Sequence, residues 1–304
     1  MPDLCIVCNG DQWRTVRSGS DLYKPDAGTF QLCRCDSCGH VAQIPQPSKP
    51  ELDEAYSISY SPYRPAWRQG GWPLWKILRN ITTWRRMHRL KRYATGFRLL
   101  EVGSGAGDFL FAAQKAGWRV SGVEYNPDMA QILRSELKVD VRSGELESGT
   151  WPVGEYDVVA LWNVLEHVPD PLDTLLKSSS YLRKGGTLFI QIPTSCASTT
   201  GTSFGQYWAL LDLPRHLNFF TQDGLSVLCK RAGLHLTVFR TFFIDTAWCH
   251  LASCWNQAAT SKGKYSRMSR FGFLAGMAMC KIPRMLVDNW RGQGTEAFAL
   301  AVKK

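Results

Sequence analysis

Three glycines at alternate positions, directly after an apolar run, constrain the fold of this chain more than any other feature. The run 97–102 reads as a β-strand, and Gly103, Gly105 and Gly107 follow it. Glycine lets the backbone turn sharply and approach a ligand closely because no Cβ stands in the way. Apolar residues at helical spacing then begin at Phe109. The pattern predicts a strand, a ligand-binding turn and a helix, which together open a parallel α/β sheet.

An acid at the end of the next apolar run indicates which ligand the turn holds. Glu124 ends that run and can accept hydrogen bonds from ribose hydroxyls. A dinucleotide site usually has the spacing G-x-G-x-x-G, with a pyrophosphate at the helix N-terminus. Here the spacing is G-x-G-x-G, and Glu101 lies just before the turn. A carboxylate there would repel a pyrophosphate, so the motif favours S-adenosylmethionine (SAM), which carries an amino group and a sulfonium, over a dinucleotide.

The composition is that of a globular protein with room for a large core. The chain has 304 residues, 44% of them hydrophobic and 20% charged. The N-terminus lacks the basic and apolar regions of a signal peptide, and no apolar run approaches the roughly 20 residues that span a bilayer. We therefore predict a cytoplasmic protein, in which the ten cysteines are reduced thiols or metal ligands rather than disulfides.

Two cysteine pairs near the N-terminus predict a zinc ribbon. Cys5 and Cys8 form one C-x-x-C pair, and Cys35 and Cys38 form a second pair with the same spacing. Four thiolates from two tight turns can complete a tetrahedral shell around Zn²⁺, and such a closed shell is structural rather than catalytic. Cys33 could replace Cys35, but the matched spacing favours Cys35. The alternative is a group of buried free cysteines.

The positive charge is concentrated in two segments. The formal net charge is +10, and residues 55–100 contain ten Lys or Arg and no acid. Residues 73–93 have the spacing of a basic amphipathic helix, and residues 265–286 mix basic with apolar side chains. Both segments could contact an anionic membrane, which would make the protein peripheral on the inner membrane face. Nucleic-acid binding is a weaker alternative. In a third alternative, both segments pack on the core and keep their basic side chains in solvent.

Alternating strands and helices follow residue 97 and predict the fold class. We expect a doubly wound, mostly parallel, seven-stranded Rossmann-like sheet with ligands at the carboxyl ends of its strands. The predicted domains are a zinc ribbon at 1–44, a linker with the basic helix at 45–95, and an α/β domain at 96–304. Residues 242–292 interrupt the alternation and predict a helical insertion before the last strand.

Several motifs together resemble the class I SAM-dependent methyltransferases. They are similar to a bacterial group with an N-terminal zinc ribbon that often acts on sugars of surface polysaccharides or on small secondary metabolites. The resemblance covers nearly the whole chain. It rests on the four cysteines and the segment 45–60, and on EVGSGAG at 101–107, EYNP at 124–127, NVLEHVPDP at 163–171, LRKGG at 182–186 and DLPRH at 212–216 with Phe219 and Phe220.

The resemblance implies a set of cofactor-binding residues. Glu101 and the turn that follows, Ser104 included, would surround the methionine part of SAM. Glu124 would hold the ribose, and Glu145 has the position that usually meets the adenine amino group, although it could equally be a solvated loop acid. The whole predicted set is Glu101, Gly103, Ser104, Gly105, Gly107, Glu124, Tyr125, Asn126, Glu145, Leu146, Trp162 and Asn163.

Two histidines are candidate general bases for methyl transfer to a hydroxyl. His167 lies just beyond a predicted strand, and His216 lies in a long connection where an acceptor would meet the cofactor. Either could instead only anchor its loop. Related quinone-type O-methyltransferases bind a divalent cation with an acid where this chain has Asn163, so we predict no catalytic metal. The expected reaction is O-methylation of a sugar, glycan or other small-molecule acceptor, with an aromatic or quinone-like metabolite, RNA, or non-catalytic binding as alternatives.

Overall fold

The computed structural model describes residues 4–21, 28–55, 73–147, 151–194, 209–242 and 294–304. The second basic segment, 265–286, and residues 243–292 of the expected helical insertion lie outside these ranges, as does the segment from residue 56 to residue 72. In α-helix 73–93, only the side chains from Arg79 onward are described.

Contacts divide the chain into two compact units, each built from separate stretches of sequence. The first unit takes Met1–Pro47, Ile192–Leu225 and Phe239–Phe298. The second takes Ser48–Gln191, Ser226–Val238 and Ala299–Lys304. The N-terminal 47 residues thus group with later segments of the chain.

A four-stranded sheet lies in the first unit. Its strands are β1 (Trp13–Ser20), β2 (Thr29–Cys35), β3 (Val41–Gln43) and β9 (Asn218–Phe219), in the order β1-β2-β3-β9. β3 pairs antiparallel with β9, with Val41 opposite Phe219 and Ala42 opposite Asn218. The sheet thus extends the cysteine-bearing hairpin with residues from the DLPRH region.

The seven-stranded sheet confirms the predicted fold class. Its seven strands run in the order β10-β11-β8-β7-β4-β5-β6, and β4, β5, β6, β7 and β8 pair in parallel. Most residues of β4, β7 and β8 are buried, as expected for parallel strands that are covered on both faces. The bounds are β4 Arg98–Val102, β5 Arg119–Glu124, β6 Asp140–Ser143, β7 Tyr156–Trp162, β8 Leu182–Pro193, β10 Leu234–Phe242 and β11 Glu296–Lys303.

Six α-helices connect or flank these strands in the described ranges. α4 begins at an Asn126 cap with Pro127 in its first turn, and α5 begins in the same way at Asp170 and Pro171, which is the preferred chemistry of a helix start. The bounds are α1 Lys49–Ala55, α2 Pro73–Tyr93, α3 Asp108–Lys115, α4 Pro127–Leu137, α5 Pro171–Tyr181 and α6 Gln222–Arg231.

The segment between the cysteines and β4 differs in part from its prediction. The basic helix expected at 73–93 is present with those bounds, but the expected linker contains α1. The Ser48 amide and hydroxyl both donate to the Glu51 carboxylate, at 2.7 and 2.6 Å, so the α1 start is capped and its proline lies in the first turn. Among the described helices, none combines the length and the apolar character needed to cross a membrane.

Candidate cofactor site

The turn after β4 has the backbone geometry that its glycines predict. Gly103, Gly105 and Gly107 have φ angles of +70°, +52° and +76°, in the left-handed region that favours glycine. A Cβ at Gly103 would meet Val164 Cγ2 at 2.5 Å, so this position has no room for a side chain. A Cβ at Gly105 would meet nothing within 4 Å, so the backbone there borders open space. The turn therefore exposes its backbone to a ligand on the Gly105 side.

Glu101 lies buried at the end of β4 and is only 2% exposed. Its Oε2 has no hydrogen-bond partner within the described part of the chain. Burial raises the pKa of this carboxyl well above its usual range, and the positive charge of Arg86 partly opposes the shift. A buried carboxylate oxygen without a partner is costly, so Oε2 suits a cationic group of a ligand.

Glu124 ends β5 with its carboxylate already oriented by the backbone. The Gly105 amide donates to Oε2 at 2.5 Å, and the Asn126 amide donates to Oε1 at 2.9 Å. Asn126 also caps α4, since its Oδ1 accepts from the Met129 amide. Ser104 is buried, and its hydroxyl lies within hydrogen-bond distance of the Val123 carbonyl, so it connects the turn to β5.

An open cleft of about 540 Å³ lies beside the carboxyl ends of β5 and β6. Tyr125 lines it, and the hydroxyl of this residue accepts from Lys49 Nζ at 2.9 Å and donates to Asp53. Glu145 lies on the rim, mostly exposed, with its Oε1 3.5 Å from Lys49 Nζ. Leu146, the next residue, is buried. The residues lining the cleft are Lys49, Asp53, Tyr125, Asn126, Pro127, Gly144, Glu145 and Glu147.

Trp162 ends β7, and Asn163 follows it at the same edge of the sheet. Trp162 is buried against Phe109, with ring centroids 5.1 Å apart. Asn163 has φ +57°, and its Oδ1 accepts from Arg86 Nη2 at 3.1 Å and from Gln191 Nε2 at 3.3 Å. The Arg86 guanidinium also lies 5.1 Å from the centroid of the Trp162 ring, within cation–π range. Arg86 is therefore held at the carboxyl end of β7, the strand that pairs with β4.

Three arginines of α2 were missed as site residues in the sequence analysis. Arg79 forms an ion pair with Asp108 at the start of α3, and Arg89 donates to Gln191 Oε1 at 3.1 Å. These two and Arg86 are spaced by seven and three residues, so they share one helix face. That spacing was visible in the sequence, but arginine on a helix face gave no sign of whether it meets solvent, lipid or protein.

The two candidate bases lie in different compact units, His167 in the second and His216 in the first. His167 is half-buried, and its amide donates to the Val164 carbonyl at 2.9 Å. His216 is buried, with its Nδ1 2.8 Å from the Leu210 carbonyl oxygen. A carbonyl can only accept, so Nδ1 carries the proton when the ring is neutral. Burial lowers the pKa of His216, which favours that neutral form.

The four predicted zinc ligands come together in the first unit. Cys5 Sγ lies 3.5 Å from Cys38 Sγ, and Cys8 Sγ lies 3.6 Å from Cys35 Sγ. All four sulfurs lie within 4.8 Å of one another. A tetrahedral Zn²⁺ with bonds of about 2.3 Å sets its sulfurs about 3.8 Å apart, so this donor set fits the ion. Cys33 lies outside the cluster, with its Sγ 3.7 Å from Thr15 Oγ1.

The residues of the second unit fit SAM at its amino acid end and at its ribose. The unpartnered Glu101 oxygen suits the ammonium of the methionine part. A carboxylate is attached to the same carbon as that ammonium, so a site for both needs a cation next to Glu101. Arg86 supplies it, as the positive charge that most opposes the raised Glu101 pKa. Glu124, with backbone amides fixing its carboxylate, suits the ribose hydroxyls.

Known proteins share this architecture. Residues 76–237 match the methyltransferase domain family. Two ubiquinone biosynthesis O-methyltransferases are similar to this chain over 46% of its length: the Xanthomonas campestris pv. campestris (strain B100) protein at 35% identity and the Aromatoleum aromaticum protein at 29%. The matches span 64% of each of those proteins.

A solved structure shows the same fold. The SAM-dependent methyltransferase from Archaeoglobus fulgidus superposes with a TM-score of 0.50 and 17% identity, covering 74% of this chain and 94% of that one. The matched family region contains the glycine turn, Glu101, Glu124 and Arg86, which are the residues that fit the cofactor. The chain belongs to the methyltransferase domain family.

Proposed function

We propose that this chain transfers the methyl group of SAM to a hydroxyl oxygen of a small aromatic acceptor. The observation that carries the proposal is the buried Glu101 carboxylate, with one oxygen unpartnered in the described ranges, directly before the glycine turn. A dinucleotide would bring a pyrophosphate against this acid, whereas SAM brings an ammonium.

Each part of the cofactor has a matching group in the chain. Glu101 would hold the ammonium, Arg86 the carboxylate, and Glu124 the ribose hydroxyls. When bound, SAM supplies an electrophilic methyl group on a sulfonium. The protein then has to align the acceptor oxygen with that methyl and hold competing water away, since in-line alignment alone can contribute several kcal/mol.

The relatives favour an aromatic acceptor. The Xanthomonas and Aromatoleum proteins are named for ubiquinone biosynthesis rather than for sugar methylation. The sugar or glycan acceptor expected from the sequence stays a prediction, and so does a membrane contact through α2, where Trp84 and Ile81 are 66% and 42% exposed.

A histidine would accept the proton that the hydroxyl loses. His216 in its neutral form carries a proton on Nδ1, so Nε2 is the nitrogen with the chemistry of a base. His167 follows β7 and the Asn163 turn within the second unit. Replacing each in turn with Gln should lower kcat about 100-fold for the residue that acts as the base and leave SAM affinity unchanged.

We also propose that Cys5, Cys8, Cys35 and Cys38 hold a structural Zn²⁺. Four protein thiolates fill a tetrahedral shell and leave no position for a substrate. The ion would tie the loop before β1 to the turn after β2 and stabilise the small sheet, without taking part in methyl transfer.

Calorimetry with S-adenosylhomocysteine (SAH), the demethylated product, tests the cofactor part of this proposal. We expect micromolar binding of SAH and none of NAD. Mass spectrometry then follows methyl transfer from SAM to catechol, 3,4-dihydroxybenzoate and a set of nucleotide sugars. Binding of NAD with no binding of SAH would overturn the proposed function. Methylation of the sugars alone would move the acceptor class back to the one expected from the sequence.

A further inference from the structure

α1 places two charged side chains on the hydroxyl of Tyr125. Lys49 Nζ donates to the Tyr125 oxygen at 2.9 Å, and the same hydroxyl donates to Asp53 Oδ1. Lys49 and Asp53 are four residues apart, so both lie on one face of the helix, with Nζ and Oδ1 3.8 Å apart. The tyrosine oxygen is therefore held between a donor and an acceptor from a single short helix.

A third contact extends this arrangement to a further residue of the cleft lining. Lys49 Nζ lies 3.5 Å from Glu145 Oε1, just after β6, and also 5.1 Å from the centroid of the Tyr125 ring. Lys49 thus connects the segment after β5 to the segment after β6. The ion pairs of Lys49 with Glu145 and Asp53 are exposed and contribute little to stability. The hydrogen bonds of the Tyr125 hydroxyl to Lys49 and Asp53 are therefore the contacts that hold this arrangement.

Tyr125 stands beside the residue assigned to the ribose. Glu124 precedes it, with its carboxylate held by the Gly105 and Asn126 amides. The Tyr125 ring lines the 540 Å³ cleft, whose volume lies within the range of about 300–1,000 Å³ that is typical of small-molecule sites. The position of Tyr125 therefore helps to shape the cleft next to the ribose position.

We propose that Lys49 and Asp53 are positioning residues, which fix the Tyr125 ring as a wall of the subsite for the nucleoside half of SAM. The inference rests on the proposed function, because it assigns the cleft to the adenosyl group. It also gives α1, which the sequence analysis placed in a linker, a role in cofactor affinity. Arg86 would act on the other half of the cofactor, at the amino acid end.

Comparing two ligands distinguishes the contribution of the nucleoside half from that of the amino acid half. SAH contains both, and 5′-methylthioadenosine keeps the nucleoside but lacks the amino acid. We expect Lys49→Met, Asp53→Asn and Tyr125→Phe each to weaken the binding of both ligands by the same factor, about 3- to 10-fold. Arg86→Gln should weaken SAH about 10-fold and leave methylthioadenosine unchanged. The double variant Lys49→Met/Tyr125→Phe should lose no more than the stronger single variant, because both substitutions remove one shared contact.

Calorimetry on the full chain measures these affinities, with Lys184→Met as the matched control because Lys184 is exposed and lies away from the cleft lining. Melting temperatures show whether each variant is folded. The inference is overturned if folded α1 variants bind SAH within about two-fold of wild type, or if they weaken SAH while sparing methylthioadenosine. Wild type that binds neither ligand would instead contradict the proposed function.

Discussion

The guanidinium of Arg215 donates to both carboxylate oxygens of Asp21, at 3.1 and 3.0 Å. Both side chains are buried, and Asp212 accepts a further hydrogen bond from Arg215 Nε at 2.9 Å. The two carboxylates raise the pKa of Arg215, which keeps the guanidinium charged in spite of its burial. This bidentate pair connects the residue after β1 to the DLPRH motif within the first unit, so the motif has a clear role in the fold.

Asp21→Asn should destabilise the protein by about 3 kcal/mol, because it leaves a buried guanidinium without one of its two counter-charges. The measurement is the midpoint of urea unfolding followed by circular dichroism. Asp11→Asn is the control, since Asp11 is exposed. An unchanged midpoint for Asp21→Asn would show that Asp212 alone compensates the charge.

Glu101→Gln should raise the Kd of SAH about 10- to 100-fold, because a charge-assisted hydrogen bond to the ligand ammonium becomes a neutral one. Glu136→Gln, at an exposed position of α4, should leave the Kd unchanged. Calorimetry at pH 8 provides both values. Equal affinity in wild type and Glu101→Gln would remove the electrostatic basis of the proposed function.

SAH affinity should also depend on pH through Glu101. Its pKa is raised by burial, so the free protein takes up a proton at this carboxyl above the usual pH range of a glutamate. A cationic ligand group favours the ionised carboxylate. Binding should therefore release a proton, and affinity should fall as the pH is lowered through the raised pKa. Titrations in buffers of different ionisation enthalpy measure the proton release, which should disappear in Glu101→Gln.

Much of this site could be predicted from local sequence. The residues that were not predicted are those whose positions depend on contacts with distant parts of the chain. The strand, the glycine turn and the acid at Glu124 follow from apolar runs and glycine spacing within some 30 residues. By contrast, β6 has four residues with only Val141 buried, so its pattern is too short to identify. β9 has two residues and exists only through its pairing with β3, far away in the chain.

The arginines of α2 show the same limit at the level of function. From the sequence alone, the basic face of this helix could meet a membrane, a nucleic acid or solvent. In the structure, Arg86 and Arg89 donate to Asn163 and Gln191, more than 70 residues away in sequence. No local pattern encodes such a pairing, because a guanidinium has the same helix propensity wherever it points.

Chelation should remove one zinc ion per chain and destabilise the protein without abolishing cofactor binding. The four sulfurs are donated entirely by the chain, so the ion would contribute to folding rather than to chemistry. Elemental analysis gives the stoichiometry, and thermal unfolding with and without a chelator gives the stability. Cys8→Ser should lose the ion, whereas Cys33→Ser should keep it, because Cys33 lies outside the cluster. Full zinc content in Cys8→Ser would contradict this ligand set.

Gly107→Ala should destabilise the protein more than Gly117→Ala, although both positions have similar left-handed φ angles, +76° and +86°. Alanine at either position costs about 1 kcal/mol in backbone strain. A Cβ at Gly107 would also lie 2.3 Å from Leu133 Cδ2, in the core between α3 and α4, whereas a Cβ at Gly117 meets nothing within 4 Å. The steric overlap should add about 1–3 kcal/mol to the first variant only. Urea unfolding of the two variants measures the difference, and equal losses would mean that α4 moves to accommodate the methyl group at no cost.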